Sequence, residues 1–71
     1  MNPKFYALPH AKQEAIIQAG FRVFGQHAYK KAPMSAIADA AGISKPLLFH
    51  YFHNKKELYF FLFDLLVQQT E

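Results

Sequence analysis

The sequence contains no cysteine, and this absence excludes two ways of stabilising a small protein. Neither a disulfide framework nor a thiolate metal site can compensate for a length of 71 residues. The core of a chain below about 70 to 80 residues contributes only a few kcal/mol unaided. We therefore expect one domain at most, of marginal stability, and the composition is compatible with a reducing cytoplasm.

The chain also lacks the motifs that enzymes and metalloproteins use. It has no Gly-rich phosphate loop, no cysteine nucleophile and no pair of carboxylates framed by a plausible pocket. His50 and His53 are three residues apart, but no cysteine completes a metal shell around them. We expect no enzymatic activity, no metal site and no cofactor in this chain.

Acidic residues are absent from Ala40 to Lys56, whereas lysines and histidines are present there. A surface of this composition attracts phosphate groups. Charged residues on helices are nevertheless most often solvated and have no partner, so the lysines alone do not indicate a binding site. The basic residues of this stretch are Lys45, His50, His53, Lys55 and Lys56.

The spacing of apolar residues predicts four helices and no strand, so the expected fold class is all-α. The helices extend from about Pro9 or Ala11 to His27, from Met34 to Ala41, from Ser44 to Tyr51, and from Lys55 onward.

In the first of these helices, the residues at helical spacing are expected to be core residues. They include Ile16, Gly20, Val23 and Phe24. Replacing Phe24 by alanine is expected to cost several kcal/mol.

Residues 33–52 carry the pattern of a helix-turn-helix. Gly42 stands where a helix must end in a left-handed conformation that glycine adopts at low cost. Ala38 allows a crossing helix to approach closely, and Ser44 is a plausible N-cap with Pro46 in the first turn. Two helices joined in this way, with the second about two turns long, fit the major groove of DNA.

The fourth predicted helix starts with a phosphate-binding pattern. Asn54 can cap this helix, and Glu57 three residues later completes a capping box. The free amide groups and the positive end of the helix dipole then lie near Lys55.

Further along the same helix, residues 58–67 are apolar except for Asp64. We expect Tyr59, Phe60, Phe63 and Val67 to remain partly uncovered, as at an interface. Ten residues are too few for a membrane span, which needs about 20. Two alternatives to DNA binding remain: a helical protein-interaction module that uses this apolar helix, and a small cationic membrane-surface peptide.

The order and spacing of these pieces resemble the DNA-binding domain of the TetR/AcrR family of repressors. The resemblance covers residues 10 to about 66. It includes Ile16-Ile17, Ala19 to Phe21, Val23-Phe24, Tyr29, Ile37-Ala38, Ala41 to Lys45, Leu48 to Phe52, and Asn54 to Leu58.

The resemblance implies a three-helix bundle with a homeodomain-like helix-turn-helix, plus the start of a fourth apolar helix. Residues 1–9 are expected to form a flexible N-terminal arm, 10–54 the DNA-binding domain, and 55–71 the fourth helix. In the family that helix leads to a larger domain for ligand binding and dimerisation, which these 71 residues do not include. A homodimer on a palindromic operator, a small-molecule effector for the missing domain, a bacterial cytoplasmic location and no membrane association are implied.

The resemblance also assigns DNA contacts by position. The base-facing residues are expected to be Lys45, Pro46, Leu47 and His50. The expected phosphate contacts are Ser44, Tyr51 and Lys55, and Ser35 is a further candidate for contact with DNA.

Ala28 stands where the family commonly has glycine. If its backbone is left-handed, it carries strain of roughly 1 kcal/mol, which Ala28→Gly would relieve.

Overall fold

The computed structural model describes residues 2–69 and contains five α-helices and one 3₁₀ turn in that range. The α-helices are α1 (Pro3–Tyr6), α2 (His10–Gln26), α3 (Met34–Ala41), α4 (Lys45–Tyr51) and α5 (Lys55–Gln69); the 3₁₀ turn is Tyr29–Lys31. Residues 2–69 include no strand, and the predicted all-α fold class is confirmed. The bounds predicted for α2 to α5 agree with those observed to within one or two residues.

Helix α2 forms one wall of the core and approaches α5 closely. Its buried residues Ile16, Ala19 and Val23 recur at helical spacing, as expected for one apolar face. Gly20 lies on the same face, where an added Cβ atom would stand 2.5 Å from Leu62 Cδ1 of α5. The absence of a side chain at position 20 therefore allows the buried Leu62 to pack against the α2 backbone.

A left-handed glycine joins α3 to α4. Gly42 has φ +74°, and its N–H donates to the Asp39 carbonyl oxygen at 3.1 Å. The N–H of Ile43 donates to the Ala38 carbonyl oxygen at 3.0 Å, which closes the end of α3. Ala38 itself is buried, and the predicted helix-turn-helix is present.

The N-terminal segment differs from the expected flexible arm. Residues 3–6 form α1, and Phe5 is completely buried in the common core. The segment packs on the domain because the Phe5 ring contacts Tyr51 and Phe52 at the end of α4 and Phe61 of α5. Met1 lies outside the described residues.

Near the end of α2, the condition for strain at Ala28 is not met, and Phe24 is less buried than expected of a core residue. Ala28 has φ −59° and ψ 149°, so its backbone is extended and carries no left-handed strain. Phe24 is only partly buried: its ring stacks on Tyr29 at 6.1 Å and meets Tyr59 edge-on at 5.2 Å. Because part of Phe24 stays in solvent, its truncation to alanine should cost less than a fully buried phenylalanine.

Helix α5 contributes two buried leucines and a large uncovered apolar face. Leu58 and Leu62 are buried, whereas Tyr59, Phe60 and Phe63 are 37%, 53% and 53% exposed. Val67 is also 53% exposed, so the expectation that Tyr59, Phe60, Phe63 and Val67 cannot all pack on the domain agrees with these values. Within residues 2–69, no helix combines the length and apolar character needed to cross a bilayer.

Candidate nucleic-acid interface

One face of α4 is anchored in the core and another is open to solvent. Leu48 is completely buried and fixes the helix against α3. Pro46, Leu47 and His50 are exposed, and they lie on one side of the helix because His50 follows Leu47 by three residues and Pro46 by four. The residues predicted to face bases therefore share a solvent-exposed surface with no core function.

Lys45 lies at the edge of this exposed surface. Its side chain is exposed, and its Nζ atom is 5.9 Å from the centroid of the Phe49 ring. Phe49 is partly buried, and the Lys45 ammonium group lies beside its ring while staying open to solvent. The ammonium group can reach an anion or a hydrogen-bond acceptor beyond the helix.

Ser44 performs the N-cap role that its position predicted. Its hydroxyl oxygen accepts a hydrogen bond from the N–H of Leu47 at 3.2 Å. Among the first residues of α4, Pro46 has no N–H and the N–H of Leu47 is used by Ser44, which leaves the N–H of Lys45 for an external acceptor. This end of α4 can therefore donate to an oxygen anion.

The start of α5 has the predicted capping arrangement. The N–H of Glu57 donates to Asn54 Oδ1 at 2.8 Å, and Glu57 Oε1 accepts from the N–H of His53 at 3.4 Å. The same carboxylate oxygen lies 3.5 Å from His53 Nδ1. Glu57, the acid that directly follows the basic stretch, is thus held in local contacts at the helix end.

Lys55 is held by the turn that precedes α3. Its Nζ atom donates to the Lys30 carbonyl oxygen at 3.2 Å and lies 5.0 Å from the centroid of the Tyr29 ring. An ammonium group has three donors, so hydrogens remain for an external anion. The turn Tyr29–Lys31, whose lysines were interpreted as ordinary solvated charges, thus supports a predicted phosphate contact.

The remaining predicted contacts occupy different settings. Ser35 is the second residue of α3 and its side chain is exposed. Tyr51 is partly buried, and its ring meets those of His50 at 5.2 Å and Phe5 at 6.5 Å. Packing against Phe5 gives Tyr51 a structural role in addition to the predicted phosphate contact.

Sequence reasoning missed the attachment of the N-terminal segment to this surface. The side-chain amide of Asn2 donates to the Tyr51 carbonyl oxygen, at the end of α4. A signal for α1 was present, because Asn2 is a favourable N-cap and Pro3 occupies the first helical position. Its contact with Tyr51 joins residues far apart in the chain, and no local pattern indicates it.

Residues 16–60, from α2 to the first part of α5, match the family model described as bacterial regulatory proteins, tetR family. The HTH-type transcriptional activator FasR of Mycolicibacterium smegmatis is 46% identical over 44 residues, which cover 62% of this chain and 20% of FasR.

Two other relatives have longer matched segments. The HTH-type transcriptional regulator RutR of Escherichia coli K12 is 39% identical over 49 residues, which cover 69% of this chain and 23% of RutR. An HTH-type transcriptional repressor of Mycobacterium tuberculosis is 33% identical over 52 residues, covering 73% of this chain and 28% of the relative. The matched segments thus span 20% to 28% of the length of these relatives.

Proposed function

We propose that this chain, which belongs to the TetR family of bacterial regulatory proteins, binds duplex DNA in a sequence-dependent manner and regulates transcription. The observation that carries the proposal is the exposed face of α4, on which Pro46, Leu47 and His50 lie together without packing in the core. A short helix presented in this way fits the width of the major groove.

Base recognition is assigned to the exposed side chains of α4, from Lys45 to His50. The Lys45 ammonium donates to the O6 and N7 acceptors of guanine, and Pro46 and Leu47 contact thymine methyl groups. His50 adds a further donor or acceptor one turn after Pro46. Leu47 is 40% exposed, and contact with a thymine methyl would remove this apolar surface from water.

Phosphate contacts set the position of α4 in the groove. Ser44 and Lys55 lie at the starts of α4 and α5, where amide groups and the helix dipole favour an anion. Ser35 of α3 and Tyr51 at the end of α4 contact further phosphates of the DNA backbone. Contacts of this class provide affinity and register, while the bases provide specificity.

The regulator acts as a homodimer on a palindromic operator in the bacterial cytoplasm. The two DNA-binding domains of one dimer bind two half-sites, so their joint affinity greatly exceeds that of one domain. The exposed face of α5 that contains Phe60 and Phe63 packs against a second domain, which binds a small-molecule effector. Effector binding moves the two DNA-binding domains apart and releases the operator.

Repression is the proposed outcome of operator binding, because a protein that covers promoter DNA excludes other proteins from it. Relatives of the chain include one named as an activator and one named as a repressor. Transcription from a promoter that carries the bound motif, measured with and without the longer regulator, distinguishes the two directions.

The proposal is tested by titrating the chain against a pool of random short duplexes at two salt concentrations and sequencing the retained DNA. We expect enrichment of a short motif and weaker retention at the higher salt concentration. Lys45→Ala should change the enriched motif. Lys55→Ala should preserve the motif while lowering affinity for all sequences and reducing the salt slope by about 1.

Lys56→Ala is the matched control for the loss of one positive charge. Lys56 is adjacent to Lys55, but its Nζ atom lies 5.8 Å from the centroid of the exposed Phe60 ring. We expect this variant to change the salt slope less than Lys55→Ala does. Equal, sequence-independent losses for Lys45→Ala and Lys55→Ala would contradict the base-reading role of Lys45.

A further inference from the structure

The N-terminal segment is joined to the end of the DNA-facing helix by both a hydrogen bond and a buried aromatic ring. We infer that Asn2 and Phe5 are positioning residues that hold the C-terminal end of α4, with His50 and Tyr51, in the orientation used for DNA binding. The inference rests on the proposed function and adds to it a segment outside the matched residues 16–60.

Asn2 connects two helix ends through one side chain. Its Oδ1 atom accepts a hydrogen bond from the N–H of Phe5 at 3.1 Å and so caps α1. Its Nδ2 atom donates to the carbonyl oxygen of Tyr51, the last residue of α4. Carbonyl groups in the last turn of a helix have no partner within the helix, so this donor satisfies one of them.

Phe5 fills the space between α4 and α5. The side chain is completely buried, and its ring centroid is 5.3 Å from that of Phe52 and 5.2 Å from that of Phe61. The ring also meets Tyr51 edge-on at 6.5 Å. The segment therefore packs on the same residues that determine where the chain leaves α4.

The segment is also fixed at its other end. Gln13 of α2 donates from Nε2 to the carbonyl oxygens of Tyr6 at 3.1 Å and Leu8 at 2.9 Å. Residues 2–8 thus make hydrogen bonds with both α2 and the end of α4. Movement of α1 relative to the core would break contacts at both ends.

Helix α4 needs this support because it is short. It has seven residues, and helices of that length are not stable by themselves. Leu48 anchors its middle, and the N–H of Phe52 donates to the Leu48 carbonyl oxygen at 2.9 Å as its last backbone bond. The next residue, Phe52, is buried against Phe61. Asn2 and Phe5 add the contacts to Tyr51 itself.

Asn2→Ser separates the two hydrogen bonds of Asn2. Serine keeps an oxygen that can cap α1, but its side chain is too short to reach the Tyr51 carbonyl oxygen. We expect amide hydrogen exchange of Tyr51 and Phe52 to become about fivefold faster, as for the loss of one hydrogen bond. Exchange in the buried part of α2 should remain unchanged, which separates a local effect on α4 from a general loss of stability.

DNA binding provides the second readout. Asn2→Ser should weaken binding to the enriched duplex by about threefold to fivefold without changing the salt slope, because it removes no phosphate contact. Phe5→Leu, which keeps an apolar group in the core, should have the same pattern of effects. Lys4→Gln is the matched control: Lys4 is exposed on α1, and its loss should leave exchange in α4 unchanged.

The outcomes are distinguishable. Unchanged exchange at Tyr51 and Phe52 in Asn2→Ser overturns the positioning role. Faster exchange with unchanged DNA affinity overturns its connection to binding. A reduced salt slope and equal affinity loss in Lys4→Gln would mean that the segment acts by direct phosphate contact. If the unaltered chain binds no duplex, the proposed function fails, while the exchange rates still decide whether Asn2 holds the end of α4.

Discussion

The close approach of α2 and α5 at Gly20 predicts opposite effects for two Gly→Ala substitutions in one helix. Alanine is favoured over glycine in a helix interior by up to about 1 kcal/mol. At position 20, however, the new Cβ atom would stand 2.5 Å from Leu62 Cδ1, well inside van der Waals contact. Leu62 is only 3% exposed, so its side chain has little free space in which to move away.

Overpacking of this kind typically costs about 1 to 3 kcal/mol, which exceeds the gain in helix propensity. We therefore expect Gly20→Ala to lower the free energy of unfolding by about 1 kcal/mol, equivalent to a fall in Tm of about 4 to 8 °C for a domain of this size. Gly25→Ala is the control, since an added Cβ atom there has no neighbour within 4 Å. That substitution should raise Tm.

Thermal unfolding followed by circular dichroism gives the Tm of both variants. Repeating Gly20→Ala in a Leu62→Val background tests whether steric overlap with Leu62 causes the loss of stability. Leu62→Val removes the Cδ atoms and should cost about 1 kcal/mol by itself. In that background Gly20→Ala should become stabilising, because the steric overlap has gone and the helix propensity remains. Equal increases in Tm for Gly20→Ala and Gly25→Ala in the unaltered chain would refute the proposed close packing.

Four further predictions concern the turns, the N-terminal segment and the N-cap of α4. Gly42→Ala should destabilise the domain by about 1 to 2 kcal/mol in urea unfolding, because φ is +74°; an unchanged midpoint would contradict a left-handed turn. Ala28→Gly should not raise Tm, because φ is −59°, and a clear increase would show strain that the backbone angles do not. Phe5→Ala should cost about 3 to 5 kcal/mol and largely unfold the domain, whereas an unaffected Tm would support a mobile arm. Ser44→Asp should keep the stability of the unaltered chain because aspartate also caps helices, but weaken DNA binding by charge repulsion; equal DNA affinity would exclude a phosphate beside Ser44.

The helix-turn-helix was predictable because its signals are local. Gly42 ends α3, Ser44 caps α4, and Asn54 caps α5, each through bonds that span only a few residues. Such bonds depend on residue type at a fixed spacing, which the sequence shows directly. The exposed face of α4 follows in the same way, since Leu48 is the residue whose burial fixes its rotation.

The features that were missed depend on distant partners. Phe5 is buried because α5 brings Phe61 to it, and a short segment with two prolines gives no sign of that partner. Lys55 is oriented by the Lys30 carbonyl oxygen, 25 residues earlier in the chain. The exposure of Phe24 was also missed. Phe24 lies on the apolar face of α2, but how much of that face α5 covers depends on the angle at which the two helices cross, which the sequence does not show.

The proposed DNA contacts follow from positions shared with the family. The structure adds which of these side chains are exposed and which residues pack against them. Ser35, Pro46, Leu47 and His50 are exposed. The Tyr51 ring contacts those of His50 and Phe5, so the proposed contribution of Tyr51 to DNA binding depends on packing as well as on its hydroxyl group.

The most direct test of the account is to map the surface that contacts DNA. Amide chemical shifts of the chain are recorded during titration with the enriched duplex and compared with a shuffled duplex of equal length. We predict that the largest changes specific to the enriched duplex occur at residues 44–51, with changes common to both duplexes at Ser35 and Lys55. Changes concentrated on Phe60, Phe63 and Leu66 of α5, with α4 unaffected, would contradict the central claim that α4 reads the DNA sequence.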